Sequence, residues 1–597
     1  MALHVSICST KGIQYVRVCE SYRNSSGEPR TKTLESHGQL KKLLEKDPLY
    51  VEKLRARVAK ENESLRQARL EGLEASARER IEKLQNKLKE HKAEQRHAFR
   101  KLNVGTALLR KVWKDLSMPQ FFSSASEKRK SRYNYDRVAF LLSAQRIIKP
   151  SSKLQVYEDK DKSIVAMDSV TDINQLYRVL DALSEDKESL VRHLNREIGK
   201  KIDRKLTLAF YDVTTYAFES RKENELLGFG LSKDHKVNEV QVVLGLVMDE
   251  NGIPLDYELF AGSTNEFGTM LPLIKKLKKT YAIGQLIVVA DRGLNSSENL
   301  LALKDLGCDF VIAQKVKNCS EQERAVILDQ SNWSSMSVSE EGELLCRYKK
   351  LETDKTLYET KTSKKTGRNY KTKKVIATMP VSWVVTYAPH RAQKDLGDVN
   401  RAIEKATKAI NTGNGLSNNK GYRSYIQIPR SNGEAKLNLE KIQEDKKWAG
   451  YYAVCTTLKT KTSEQVMAIY RKLWQIEDCF RVSKTQLETR PCFVWTEAHI
   501  RGHFVSCFTS LVIEKYMLYV LKKALGKEAI TAEAFCEAIR EAEVVYDDSD
   551  MQTPLLLRLY ESGLFDAMSK VFGLQALNRA EQPYMARRKL HLSSINV

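Results

Sequence analysis

Two apolar runs end in an acid. Leu206 to Tyr211 leads into Asp212 and Leu286 to Ala290 leads into Asp291, as buried strands that deliver a carboxylate would. A third acid, Glu477, lies in Tyr470-Arg-Lys-Leu-Trp-Gln-Ile-Glu477-Asp-Cys-Phe-Arg-Val-Ser-Lys484, where Tyr470, Glu477 and Lys484 recur every seven residues. Seven residues make nearly two helical turns, so these three form one polar stripe, while Asp478 points about 100° away. Taken singly, each aspartate is an ordinary turn or cap residue. Placed together, the acids have a chemistry. Two ionised carboxylates about 4 Å apart repel by roughly 4 kcal/mol at an effective dielectric of ~20, so a cluster of them needs cations. Hard oxygen ligands suit Mg²⁺, with Mn²⁺ as a substitute. A pair of such ions about 3.5–4 Å apart can activate an attacking oxygen and stabilise a leaving one at a phosphodiester.

The elements around these acids must bring them to one place. After the Leu206–Asp212 strand come Val240–Met248 and Ile253–Phe260, flanking Asp249-Glu250-Asn251-Gly252, a strong hairpin signal because Asn-Gly accepts positive φ. A helix over Thr269–Lys279, the Leu286–Ala290 strand, a helix over Ser296–Leu306 and a strand over Asp309–Gln314 follow. Three sequential antiparallel strands and then alternating helix and strand make the ribonuclease-H-like arrangement, an α/β core with a mixed sheet. In it the first and fourth strands are neighbours, so Asp212 and Asp291 emerge together. Val466, Ile469, Leu473, Ile476, Phe480 and Leu487 give the later helix one buried stripe, ending at Pro491.

The expected organisation is multidomain. Residues 1–45 form a small β-unit and 46–200 a helical arm and DNA-binding region, with shorter helices after the arm. The core occupies 201–314 and 459–525. Between its parts, 315–458 form a β-rich insertion domain, with β-like runs at Leu344–Lys349, Lys374–Thr378, Val381–Tyr387, Tyr422–Ile428 and Gly450–Leu458 and a helical stretch near Asp398–Ile410. Residues 526–597 form a helical C-terminal region, so the regions flanking the core are all-α.

Composition narrows the partners. Against 76 Asp and Glu stand 99 Lys and Arg, a formal charge of +23, which points first to nucleic acid and second to an anionic membrane surface. The start lacks the basic and apolar regions of a signal peptide. His503–Leu521 is interrupted by Ser506, Thr509, Ser510, Glu514 and Lys515 and reads as a buried helix rather than a membrane span. Ten cysteines without a C-x-x-C pair argue against a zinc ribbon or disulfide framework and for a reducing cytoplasm. His499 and His503 have zinc-like spacing but lack the H-E-x-x-H glutamate and an evident third ligand. No phosphate-binding G-x-x-x-x-G-K-[ST] loop occurs. Trp333, Trp383 and Trp448 read as core residues, with base stacking as the alternative.

Asp212-Val-Thr-Thr, Asp291-Arg-Gly and Tyr470…Glu477…Lys484 resemble the DDE transposases of bacterial insertion sequences. The closest class is the cut-and-paste one with a β-strand insertion and a Tyr-Arg-Glu-Lys signature. The resemblance runs from about Leu206 to Arg501. It includes Gly230-Leu-Ser-Lys-Asp-His-Lys236, similar to a segment of a long-chain subgroup, and more loosely Ile147-Ile-Lys-Pro-Ser-Ser-Lys153. It implies metal-dependent nicking of transposon ends, then attack of the freed 3′-hydroxyl and joining to a target. Asp212, Asp291 and Glu477 would be catalytic metal ligands, with two magnesium ions. Tyr470 and Lys484 would hold DNA phosphates, with Arg292 and His235 as further DNA contacts. One departure stands out: Leu473 occupies the place of the signature arginine, and Arg481 is the candidate to replace it. The expected partners are double-stranded DNA, as terminal inverted repeats and target, and a second copy of the chain in a homodimer on DNA, without a membrane. The expected location is the cytoplasm, at the nucleoid. A structure-selective nuclease on the same core and a DNA-binding relative without catalysis are the alternatives.

Overall fold

A computed structural model describes residues 2–10, 12–23, 29–65, 67–68, 100–204, 206–218, 222–230, 239–264, 268–281, 283–340, 342–362, 369–413, 421–428, 434–490, 492, 494–526, 530–548, 554–561 and 563–596. The chain divides into two compact units, 1–99 and 100–597. In the first, β1 (Ala2–Thr10), β2 (Ile13–Arg23) and β3 (Pro29–Gln39) form an antiparallel sheet in that order. Val16 and Val18 of β2 pack with Leu54 and Val58, which share one face of a helix over residues 50–65. The rest of the expected long helix lies outside the described residues.

The second unit is α/β, with one large mixed sheet and many helices. Its first strand, β4 (Arg100–Asn103), belongs to a smaller sheet. The large sheet takes β5 (Leu208–Ala217), the hairpin β6 (Gln241–Met248) and β7 (Pro254–Ala261), then β8 (Leu286–Ala290) and β9 (Cys308–Gln314). Their order is β9-β8-β5-β6-β7, with β5, β8 and β9 parallel and β6 and β7 antiparallel to their neighbours. Asp249 locks the hairpin turn: its Oδ1 accepts the Asn251 and Ile253 amides at 2.9 Å each, and its Oδ2 accepts from Arg204 at 2.5 Å. Gly252 supplies the positive φ of +77° that the turn needs.

Strand alternation gives the sheet two buried faces. Ala209, Tyr211, Val288 and Ala290 point to one core, with Leu273 and Leu277 of the Met270–Tyr281 helix and Leu300 and Leu303 of the Ser297–Asp305 helix. Phe210, Val289 and Val311 point to the other, with Ile476, Cys479 and Phe480 of the Trp474–Arg481 helix. The Glu497–Leu525 helix belongs to this second core. It is long and apolar enough to cross a membrane by length and composition, and 89% of its most apolar window is buried in the protein. At Gly502 a Cβ would sit 1.9 Å from the Leu180 carbonyl of the Asn174–Lys201 helix, so only glycine permits this crossing.

The long strands of residues 315–458 do not form a sheet apart from the core. β10 (Ser335–Val338), β11 (Leu344–Thr362) and β12 (Asn369–Tyr387) continue the large sheet through β15 (Tyr451–Thr456), which pairs with β9. Without β15 the polar backbone edge of β9 would be open, and antiparallel pairing closes it. The expected helical stretch runs Pro389–Thr412, and among the described residues of this region only β13 (Ile426–Gln427) and β14 (Lys436–Leu437) pair separately. An all-α C-terminal region is also corrected. β16 (Glu543–Asp547), β17 (Leu555–Arg558) and β18 (Ala580–Glu581) form a four-stranded sheet with β4, between short helices. Strands of two to five residues are too short to show a period of two in sequence.

Candidate active site

The register of two strands sets the first two acids. In the parallel β5–β8 pair Tyr211 lies opposite Ala290, so Asp212 and Asp291 follow as the next pair. Asp291 keeps extended backbone, φ −76° and ψ 169°. Both acids therefore leave on the face that carries Phe210 and Val289, from strands about 4.8 Å apart. Asp212 Oδ1 also accepts the Val213 amide at 2.7 Å.

Tyr470 reaches Asp291 directly. Its hydroxyl lies 3.5 Å from Asp291 Oδ1 and accepts from Tyr452 of β15 at 2.7 Å. Burial, then Tyr452 and Asp291, holds the Tyr470 hydroxyl well above its ordinary range, and burial raises Tyr452 too. Both remain protonated donors.

Glu477 opens onto the same space. A cavity of about 610 Å³ is lined by Asp291, Tyr470 and Glu477, with Arg391, Arg471 and Trp474 around them. Its neighbour Asp478 is spent elsewhere, accepting from Lys515 and Arg481 at 2.5 Å each. Burial pushes the Asp478 carboxyl up, but these two cations leave it below its ordinary value.

The expected single helical stripe is divided. Tyr470 belongs to a helix ending at Arg471, Glu477 to the Trp474–Arg481 helix, and Lys484 to a π-helical turn, Val482–Gln486. Between the first two the amides of Leu473, Gln475 and Ile476 bond three residues back, to Tyr470, Lys472 and Leu473, each at 3.0 Å. Both local changes rotate side chains away from an ideal α-helical stripe. The Lys484 ammonium lies 5.5 Å from the Tyr216 ring centre, and the Tyr216 hydroxyl donates to Ser483 at 2.9 Å. Three donors hold the following chain: buried Arg146 on the Glu488 carbonyl at 3.1 Å, exposed Arg540 on the Gln486 carbonyl at 3.2 Å and buried His503 Nε2 on the Thr489 carbonyl at 3.0 Å. Lys153 donates to the other His503 nitrogen at 3.2 Å. Burial keeps that imidazole neutral and brings the lysine down to about 8.

Other expected residues take varied places. Arg481 is held by Asp478 and Glu533. Arg292 is exposed beside Asp291 and lines a second cavity of about 770 Å³, with Lys315, Arg391 and Tyr452. His235 lies outside the described residues. His499 stands 3.3 Å from Asp181, apart from the buried contacts of His503. Trp383 and Trp448 are core residues, and Trp333 lies under the Arg347 guanidinium at 4.4 Å. Tyr452 and Arg391 escape sequence reasoning, because neither carries a motif and only the β15–β9 pairing brings Tyr452 here.

The carboxylate chemistry of Asp212 and Asp291 suits a hard divalent cation. Yet among the described residues no three His, Cys, Asp or Glu side chains are close enough together to share an ion. Glu477 faces the same cavity as Asp291 without completing a ligand cluster.

A family model for the transposase DDE domain matches residues 230–513, just under half of the chain. That stretch holds Asp291, Tyr470, Glu477 and Lys484 and begins after Asp212. No curated protein sequence matches the chain. Among solved structures, a cryo-EM structure of a piggyBac transposase synaptic complex with hairpin DNA is similar, with a TM-score of 0.31 and 11% identity, covering 73% of this chain and 77% of that one.

Proposed function

We propose that this protein is a DNA transposase that nicks and joins transposon ends through a ribonuclease-H-like core. The observation that carries this reading is that Asp212 and Asp291 each directly follow the Tyr211–Ala290 pair of two adjacent parallel strands, with Asp291 lining the cavity that Tyr470 and Glu477 share. The strand order β9-β8-β5-β6-β7 and the match to the transposase DDE domain support it.

Asp212, Asp291 and, after approach across the cavity, Glu477 would hold magnesium, which when bound would supply activation of the attacking oxygen and stabilisation of the leaving one. Tyr470 orients the Asp291 carboxylate through its hydroxyl. Arg292 and Lys315 draw a DNA strand toward the acids by charge. Lys484 serves as a point-charge phosphate contact. Two ends must be cut and joined together, so the working form is a homodimer on double-stranded DNA.

Incubating the chain with end-containing DNA and Mg²⁺ tests the reading. Joined 3′ ends support it, and cutting without joining favours a nuclease on the same core. Glu477→Gln should abolish cleavage and leave DNA binding intact; equal loss of both overturns the assignment. A catalytically defective DNA-binding relative is favoured by the open arrangement of the three acids. It predicts binding without cleavage in the unsubstituted chain. Either reading requires log K to fall with log[salt] by about 0.9 per phosphate neutralised.

A further inference from the structure

We propose that Arg391 is a phosphate-binding residue of this site, gripping the backbone of the DNA strand that enters beside Asp291. The inference rests on the nucleic-acid reading above and adds the residue that sequence motifs do not supply.

Position is the first argument. Arg391, Asp291 and Tyr452 line both the 610 Å³ cavity that holds Glu477 and the 770 Å³ cavity that leads past Arg292 and Lys315. The Arg391 side chain, 48% exposed, is therefore open to a strand that lies along either cavity.

Orientation is the second. The guanidinium lies over the Tyr452 ring, 4.7 Å from its centre. This contact fixes the plane of the fork without consuming an N–H donor. The same tyrosine donates to Tyr470, which contacts Asp291, so the ring that seats Arg391 also sets its place relative to the acid.

Availability is the third. Arg481 is held by two acids, and Arg471 donates to the Tyr348 hydroxyl at 2.9 Å. The Arg391 ion pair is with Asp395, at 3.6 Å from Nε, and that carboxylate oxygen also accepts the Gly450 amide at 3.0 Å. The Nη groups therefore keep donors for a phosphodiester, which a planar guanidinium engages through two parallel hydrogen bonds. Arg391 sits in the first turn of the Pro389–Thr412 helix, which has no acidic residue there. The positive end of the helix dipole adds to its field.

The test measures binding of the full chain to a fluorescent double-stranded oligonucleotide across a potassium chloride series, with nicking followed in Mn²⁺. Arg391→Ala should make the slope of log K against log[salt] shallower by about 0.9, the loss of one phosphate contact. Arg391→Lys should keep the slope and lower nicking about tenfold, because an ammonium keeps charge but loses the fork. If Arg391→Ala does not fold, Arg391→Gln retains a stem over Tyr452 without the charge and carries the same comparison. An unchanged slope in the neutral variant overturns the proposal, as does a lower melting temperature with slope and nicking intact. If the unsubstituted chain binds without salt dependence, the nucleic-acid reading itself fails. If it binds steeply and only the Arg391 variants leave the slope unmoved, this inference alone fails.

Discussion

Tyr452 and Tyr470 share a 2.7 Å hydrogen bond that joins β15 to the helix before Glu477, and Tyr470 carries the contact on to Asp291 at 3.5 Å. The first tyrosine comes from the strand that closes the β9 edge and the second from the helix beside it. The region between the two parts of the core thus helps position the site.

Tyr452→Phe should lower cleavage by about 2- to 10-fold, the weight of one hydrogen bond of ~0.5–1.5 kcal/mol. Oligonucleotide affinity should stay unchanged, since the phenylalanine ring still supports Arg391. A single-turnover cleavage rate equal to that of the unsubstituted chain would refute the positioning role.

Adjacent acids should behave oppositely. Glu477 is exposed, so Glu477→Gln should change stability by less than about 0.5 kcal/mol. Asp478→Asn removes the partner of the nearly buried Lys515 ammonium and should cost about 1–3 kcal/mol. Urea denaturation of both variants decides. Similar midpoints would contradict the assignment of Asp478 to structure and Glu477 to chemistry.

Glu514 gives the fold a pH dependence. Both carboxylate oxygens are buried and make no hydrogen bond among the described residues, and burial pushes the group up from 4.5 to about 8. Lys515 on its own helix, Asp478 and Cys479 on the Trp474–Arg481 helix, and Arg540, Glu533 and Cys536 on the Ala532–Glu541 helix surround it. Folded protein keeps the proton through this interval while unfolded chain releases it, so unfolding loses a proton. This contribution is complete below about pH 4.5 and is lost as pH rises to about 8. Glu514→Gln should flatten the melting temperature across that window and raise it near pH 8. A slope identical to that of the unsubstituted protein would exclude Glu514 as its source.

Gly502→Ala should be among the most damaging single substitutions. The added carbon meets backbone at 1.9 Å, not a side chain able to turn aside, so the helix pair must separate, at a cost of about 3 kcal/mol or more. Normal expression and melting would show that the crossing tolerates a methyl group.

Local rules reach far into this chain. The β6–β7 hairpin is legible because Gly252 accepts the positive φ that its turn needs, and β8 because a run of apolar residues reads as a buried strand. Asp212 and Asp291 are legible as partners once strand order is inferred. That Glu477 and Asp478 face different ways is legible from the helical period, although the helix is divided by 3₁₀-type bonds and a π turn.

What sequence determined was therefore local: which segments are strands, where they turn, and which acids end them. Those properties depend on residues a few positions apart, through side-chain period and backbone conformation. Tertiary structure alone decided that residues 315–458 extend the core sheet, that Tyr452 meets Tyr470, that Arg391 stands beside Asp291, and that Glu477 faces that cavity without closing on the two aspartates. Each depends on pairing between segments far apart in the chain, where strand register is chosen by the packing of whole faces and by the need to satisfy an open edge.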